Sequence, residues 1–128
     1  AAVGCVNAER GVLGWSRNGG GTDAIAGDAQ FVFGGDASDR ISAWKADSGD
    51  VAWTSDKLLY RTLSSPAAFN KSVVFGDEDG TLHWLARETG EAQLRSTTDG
   101  GPISVQPAVS GGTMLVVTRK GGLFAFRQ

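Results

Sequence analysis

A unit that recurs about every 41 residues constrains this chain more than any other feature. Ala8-Glu9-Arg10-Gly11 leads to Trp15, Ala46-Asp47-Ser48-Gly49 leads to Trp53, and Arg87-Glu88-Thr89-Gly90 leads to Leu94, with three residues between each glycine and the large apolar residue after it. A period of this length means a repeat architecture, in which one unit cannot bury its own face and stability belongs to the stacked array. Gly11, Gly49 and Gly90 are expected to close turns, and Trp15, Trp53 and Leu94 to anchor the strands that follow.

Each unit reads as a set of short strands. Upstream of the turns, Val3 and Cys5, Ile41 and Ala43, Leu82 and Trp84, and Phe124 and Phe126 alternate with Gly4, Ser42, His83 and Ala125. That period of two is the pleat of a strand, and it assigns His83 to a polar-facing position. Before these segments come flatter apolar runs, Phe31 to Gly34, Val73 to Gly76 and Leu115 to Thr118, each closed by a short loop rich in Gly and Asp. Pro66 and Pro107 stand 41 residues apart, where a strand can begin without a ladder N–H. The Gly19-Gly20-Gly21 and Gly111-Gly112 pieces read as turns, since no helix start follows them. Four antiparallel strands per unit with no room for a helix describe the blade of a β-propeller.

Length adds a further expectation. Blades of roughly 40–45 residues, in rings of typically 4–8, need at least about 160 residues to close. The 128 residues hold about three blades. The chain therefore reads as all-β and as a piece of a larger propeller, its C-terminal piece: a half blade at 1–17, blades at 18–56 and 57–99, and a terminal partial blade at 100–128. Incomplete blades present open sheet edges, so strand-mediated association is expected.

Composition narrows the function. A net charge of −2 without a Lys/Arg cluster offers nucleic acid no electrostatic footprint. Apolar runs stay far below the roughly 18 residues of a membrane-spanning helix. Cys5 follows Ala2-Val3-Gly4 much as the lipidated cysteine of a lipoprotein follows its signal, but no apolar segment precedes it here, and the strand register makes it a core cysteine. His83 has no second ligand at metal spacing in its own segment and reads as a packed or hydrogen-bonded strand residue. The acidic loops Asp36/Asp39 and Asp77/Glu78/Asp79 lack the length and alternation of a calcium loop and read as solvated turns. No nucleophile, base and orienting carboxylate assemble into a catalytic set, so catalytic, cofactor and metal residues are all expected to be absent.

The segment from Trp53-Thr54-Ser55-Asp56-Lys57-Leu58-Leu59-Tyr60-Arg61-Thr62-Leu63-Ser64-Ser65-Pro66 through Val74-Phe75-Gly76-Asp77-Glu78-Asp79-Gly80-Thr81-Leu82-His83-Trp84 resembles the C-terminal part of the BamB family. So do Asn70 ahead of Val73-Val74 and the closing Lys120-Gly121-Gly122 turn. The glycine-to-tryptophan turn alone is shared by quinoprotein-like (PQQ-like) propeller repeats in general. The resemblance implies an eight-bladed propeller lipoprotein of the periplasm, held to the inner leaflet of a Gram-negative outer membrane by a lipid on a cysteine outside this chain. It further implies a non-enzymatic scaffold of the β-barrel assembly (BAM) complex that binds the periplasmic domains of BamA, with unfolded outer-membrane proteins as further partners. The alternative from the same repeat is a propeller dehydrogenase that holds pyrroloquinoline quinone and Ca²⁺ near its axis.

One local feature suits a partner surface. Lys57-Leu58-Leu59-Tyr60-Arg61 is longer than a tight turn and places apolar side chains beside an arginine, a composition enriched at interface hot spots. Leu58, Tyr60 and Arg61 are its candidate contacts. The competing reading is that Leu58 and Leu59 plug the gap between neighbouring blades.

Overall fold

The structure is a computed structural model that describes the backbone of residues 2–7, 12–18 and 21–127 and the side chains of residues 25–127. Among the described residues thirteen strands form four separate antiparallel sheets, each with its strands in chain order, and no helix occurs. The first sheet pairs β1 (Ala2–Asn7) with β2 (Val12–Asn18). The second runs β3 (Gly21–Gly27), β4 (Phe31–Asp36), β5 (Ile41–Lys45), β6 (Val51–Ser55). The third runs β7 (Ala67–Phe69), β8 (Ser72–Gly76), β9 (Thr81–Ala86), β10 (Ala92–Thr97). The fourth holds β11 (Ala108–Ser110), β12 (Thr113–Val117) and β13 (Leu123–Arg127). Phe31, Ser72 and Thr113 open equivalent strands 41 residues apart. The chain is all-β and is part of a propeller.

Local chemistry sets each hairpin. In the β4–β5 turn the Asp36 carboxylate accepts the N–H of Ser38 at 2.8 Å and of Arg40 at 3.0 Å. Asp77 does the same for Asp79 and Thr81 in the β8–β9 turn, at 2.9 and 3.0 Å. These short side chains satisfy backbone donors that the reversal leaves free of the ladder. The next turn replaces the carboxylate by the Thr118 hydroxyl, which accepts the Gly122 N–H at 3.1 Å. Between β5 and β6, and between β9 and β10, the chain closes through Gly49 and Gly90, whose φ of 74° and 77° lie where a Cβ is strained. Pro66 and Pro107 immediately precede β7 and β11.

The outer strand of each repeat carries a bulge at the same place. Ala43 pairs with Trp53 but Trp44 with Val51, so Ala52 is left over; Gln93 is left over between β9 and β10, and Gly14 between β1 and β2. A bulge adds local twist and re-aims the next side chain, here the anchor of the repeat.

The core lies between sheets. Phe33, Ile41, Ala43, Trp53 and Leu58 pack against Val73, Phe75 and Leu85. The opposite face of the third sheet contributes Val74 and Leu82, which join Ala67, Phe69, Ile103, Met114 and Val116. Successive residues of β8 thus serve two different cores, which is why its run is apolar without alternation. Sheets stack closely enough that a Cβ on Gly76 would stand 2.3 Å from the Ile103 side chain.

Three expectations need correction. His83 is not on a polar face: it is 3% exposed, because the third sheet is covered on both sides. Asp77 is not a solvated turn residue: it is 1% exposed, its oxygens filled by backbone N–H groups and by His83. Gly21 belongs to strand β3, paired with Asp36, and not to a turn. The proposed inward side chain of Cys5 lies outside the described side chains.

Candidate functional site

The connection from β6 to β7 is built by other segments gripping its backbone. Tyr60 and Thr62 both take left-handed backbone, φ 61° and 55°. For a tyrosine and a β-branched threonine this costs on the order of 1–3 kcal/mol each and persists only where the surroundings over-determine it. The grip comes from the preceding sheet. Asp39 accepts the N–H of Thr62 at 3.0 Å and of Leu63 at 3.1 Å through its two carboxylate oxygens, and Tyr60 N–H donates to the Ser38 carbonyl at 3.1 Å. The following sheet holds the other end: Ser64 N–H donates to the Gly76 carbonyl at 2.8 Å, and Gly76 N–H to the Ser64 hydroxyl at 3.0 Å.

These constraints separate the three candidate contacts. Leu58 is turned into the core at 6% exposure, in the cluster with Phe33 and Phe75. Arg61 is half-buried. Tyr60 stands out at 78% exposure on a backbone that cannot easily relax. A fixed, exposed aromatic loses little entropy when a partner covers it, and aromatic side chains of this kind carry much of the energy in protein interfaces.

Two clefts flank the connection. One, of about 380 Å³, is lined by Thr62, Leu63, Glu78, Ile103 and Arg119. The other, of about 350 Å³, lies between Lys57, Leu58, His83, Leu85 and Arg95. His83 Nε2 is 2.8 Å from Asp77 Oδ2, and the Asp77 carbonyl accepts the Ile103 N–H at 2.9 Å. The pair therefore joins the β8–β9 hairpin to the next sheet. Among the described residues no group of three or more His, Cys, Asp or Glu side chains converges as a metal site would require.

Of the repeat anchors, Trp53 and Gly90 meet across two sheets. Trp53 is buried at 8%, and its indole N–H donates to the Arg87 carbonyl of the next sheet's turn at 2.8 Å. Gly90, in that same turn, lies flat on the indole: a Cβ there would be 2.4 Å from a ring atom. Arg87 completes the latch by reaching back over the Phe31 ring, 5.7 Å from its centroid, to Gln30 Oε1 at 2.7 Å and Asp28 Oδ2 at 3.3 Å. Gly49 is buried in its own turn, and Leu94 is 56% exposed. Gly11 lies outside the described residues, and Trp15 is described only as the strand partner of Cys5. The spacing of glycine and tryptophan in the sequence marks both halves of the latch. It carries no sign that they meet across repeats, nor that Asp39 clamps the connection 23 residues away.

A family model described as "Outer membrane protein assembly factor BamB" matches residues 1–55. The outer membrane protein assembly factor BamB of Burkholderia pseudomallei (strain K96243) is 34% identical over 98% of this chain and 33% of its own length. The crystal structure of BamB from Moraxella catarrhalis superposes with a TM-score of 0.86 at 20% identity, covering 96% of this chain and 36% of that one. A quinohemoprotein alcohol dehydrogenase from Pseudomonas putida HK5 superposes at 0.64 and 17% identity, over 80% of this chain and 18% of that one. At such identities the superpositions speak for the fold alone. The chain spans about a third of the length of the curated relatives it matches.

Proposed function

The chain belongs to the BamB family of outer membrane protein assembly factors, and from that membership we propose that the protein acts as a non-enzymatic scaffold of the BAM complex. In this reading it works in the periplasm at the inner leaflet of the outer membrane. It binds the periplasmic domains of BamA and assists the insertion of β-barrel outer-membrane proteins. The carrying observation is the 34% identity to an assembly factor over 98% of the chain. The structure adds a physical means: a sheet stack whose β6–β7 connection is held rigid by Asp39 and offers Tyr60 beside Arg61. A surface fixed before binding suits a scaffold, since ordering is not charged against the complex.

Two measurements test this at separate levels. Co-purification of the full-length protein with BamA is the expected outcome, and a clean failure to co-purify would sink the scaffold reading. Replacing Tyr60 and Arg61 by Ala in the full-length protein should weaken affinity for BamA by about tenfold or more, as loss of an interface hot spot does. Unchanged affinity would remove this connection as the contact while leaving the scaffold role standing.

A further inference from the structure

We propose that the cleft between Lys57 and Arg95 is a binding site for an extended peptide segment carrying carboxylate side chains on either side of an apolar one. The inference does not depend on the assembly role above, because it rests on the chemistry of this cleft alone. One wall is the β6–β7 connection and the other is the third sheet, so the described residues build the cleft by themselves. Its volume of about 350 Å³ is in the range where ligand clefts begin.

The floor is apolar. Leu58 is 6% and Leu85 2% exposed, and between them His83 directs its Nε2 inward to Asp77, not out to the cleft. The rim is cationic. Lys57 and Arg95 are both exposed, and neither forms an ion pair with any described residue, whereas Arg87 on the same sheet is paired with Asp28 and Glu88. Two cations without an ion-pair partner among the described residues, facing one cleft on a chain of net charge −2, favour an anionic visitor. The apolar floor between them rejects a bare phosphate or a nucleic acid, which would have to leave its hydration without donors to replace it.

The wall supplies the remaining recognition. Strand β10 is the edge of its sheet, its backbone ladder being with β9 among the described strands, and residues 92–95 are exposed. Its outward N–H and C=O groups are the template on which an extended chain adds as another strand. Along such a chain every second side chain faces the same way, about 6.6–6.8 Å apart. An apolar residue turned into the cleft towards Leu58, with acidic residues two positions before and after it, therefore brings carboxylates towards Lys57 and Arg95.

The test uses the full-length protein and a fluorescein-labelled peptide, acetyl-Ser-Glu-Thr-Leu-Thr-Glu-Gly-amide, followed by fluorescence anisotropy. Saturable binding is expected, weakened about tenfold or more by Lys57→Glu combined with Arg95→Glu, and likewise by Gln in place of both peptide Glu residues. Both protein positions are exposed, and circular dichroism checks that the variant is folded. The peptide-side changes, including N-methylation of alternate amides, leave the protein untouched and are expected to weaken binding to the same degree. Absence of saturation overturns the proposal, as does equal binding of the Gln peptide or of the charge-reversed variant. Binding of phosphatidylglycerol vesicles that is lost in the double variant, while the peptide does not bind, would reassign the cleft to a membrane surface and overturn it too.

Discussion

Trp53 and Leu94 occupy the same position of successive repeats, four residues beyond Gly49 and Gly90 and paired with the equivalent residues Ala43 and Trp84. One is 8% exposed and the other 56%. The difference is not in the strands, which share register, bulge and exposure to the outer edge. It lies in what stands against them: the 86–90 turn of the next sheet covers Trp53, and no described residue plays that part for Leu94. Burial of the repeat anchor is therefore a property of two neighbouring sheets, and the anchor contributes to stability only where the next turn arrives.

Gly90→Val should be the most damaging change. It forces a β-branched residue to φ 77° and drives its Cβ into the Trp53 ring, so strain and overpacking together should cost on the order of 3–5 kcal/mol. Urea unfolding followed by tryptophan fluorescence would show it; a loss below about 1 kcal/mol would mean that the turn does not rest on the indole. Trp53→Phe keeps an aromatic ring beside Phe33, whose centroid is 6.1 Å away, but removes the donor to the Arg87 carbonyl. An orphaned carbonyl and a partly unfilled site should together cost about 1–3 kcal/mol. Leu94→Ala within these 128 residues, by contrast, should change stability by no more than about 0.5 kcal/mol. Equal losses at Trp53 and Leu94 would refute the idea that the neighbouring turn decides.

The smallest effect concerns how the third and fourth sheets are joined. Asp99 is exposed, and its carboxyl is held below the ordinary carboxylate range, first by the Gly101 N–H and then by the Thr118 hydroxyl and the charge of Lys120. In the unfolded chain these partners are gone and the group holds its proton at higher pH. Its contribution is therefore present above the unfolded pKa and is lost as pH falls through the folded one. Asp99→Asn should lower stability slightly in the neutral region, where the contribution is present, and leave the acid end nearly unchanged, so that the acid limb of a stability-versus-pH profile is flatter. A wild-type acid limb would show that solvent screens this exposed group completely.

Much of this was legible in the residues. Turn glycines, flat apolar runs and a repeat of 41 are local patterns, and they led directly to stacked four-stranded sheets because a strand's period and a turn's φ are set by the residues that make them. Asp77 and His83 show where such reading stops. Six residues apart and polar, they looked like a solvated turn and an outward strand position, yet they meet at 2.8 Å beneath a surface formed by a neighbouring sheet. Leu58 and Tyr60 show it again. Two residues apart in one connection, they part company because Asp39, Ser38 and Gly76 fix the backbone between core and solvent.

The sequence by itself determined the repeat, the strand and turn chemistry, and the likeness to outer membrane assembly factors, all of which depend on residues close together in the chain. The packing of sheet on sheet decides which anchors are covered, which carboxylate is buried, and which aromatic stands exposed. Those outcomes depend on contacts between repeats about 40 residues apart, where the approach of one sheet to the next, and not the identity of the side chain, sets its exposure to water.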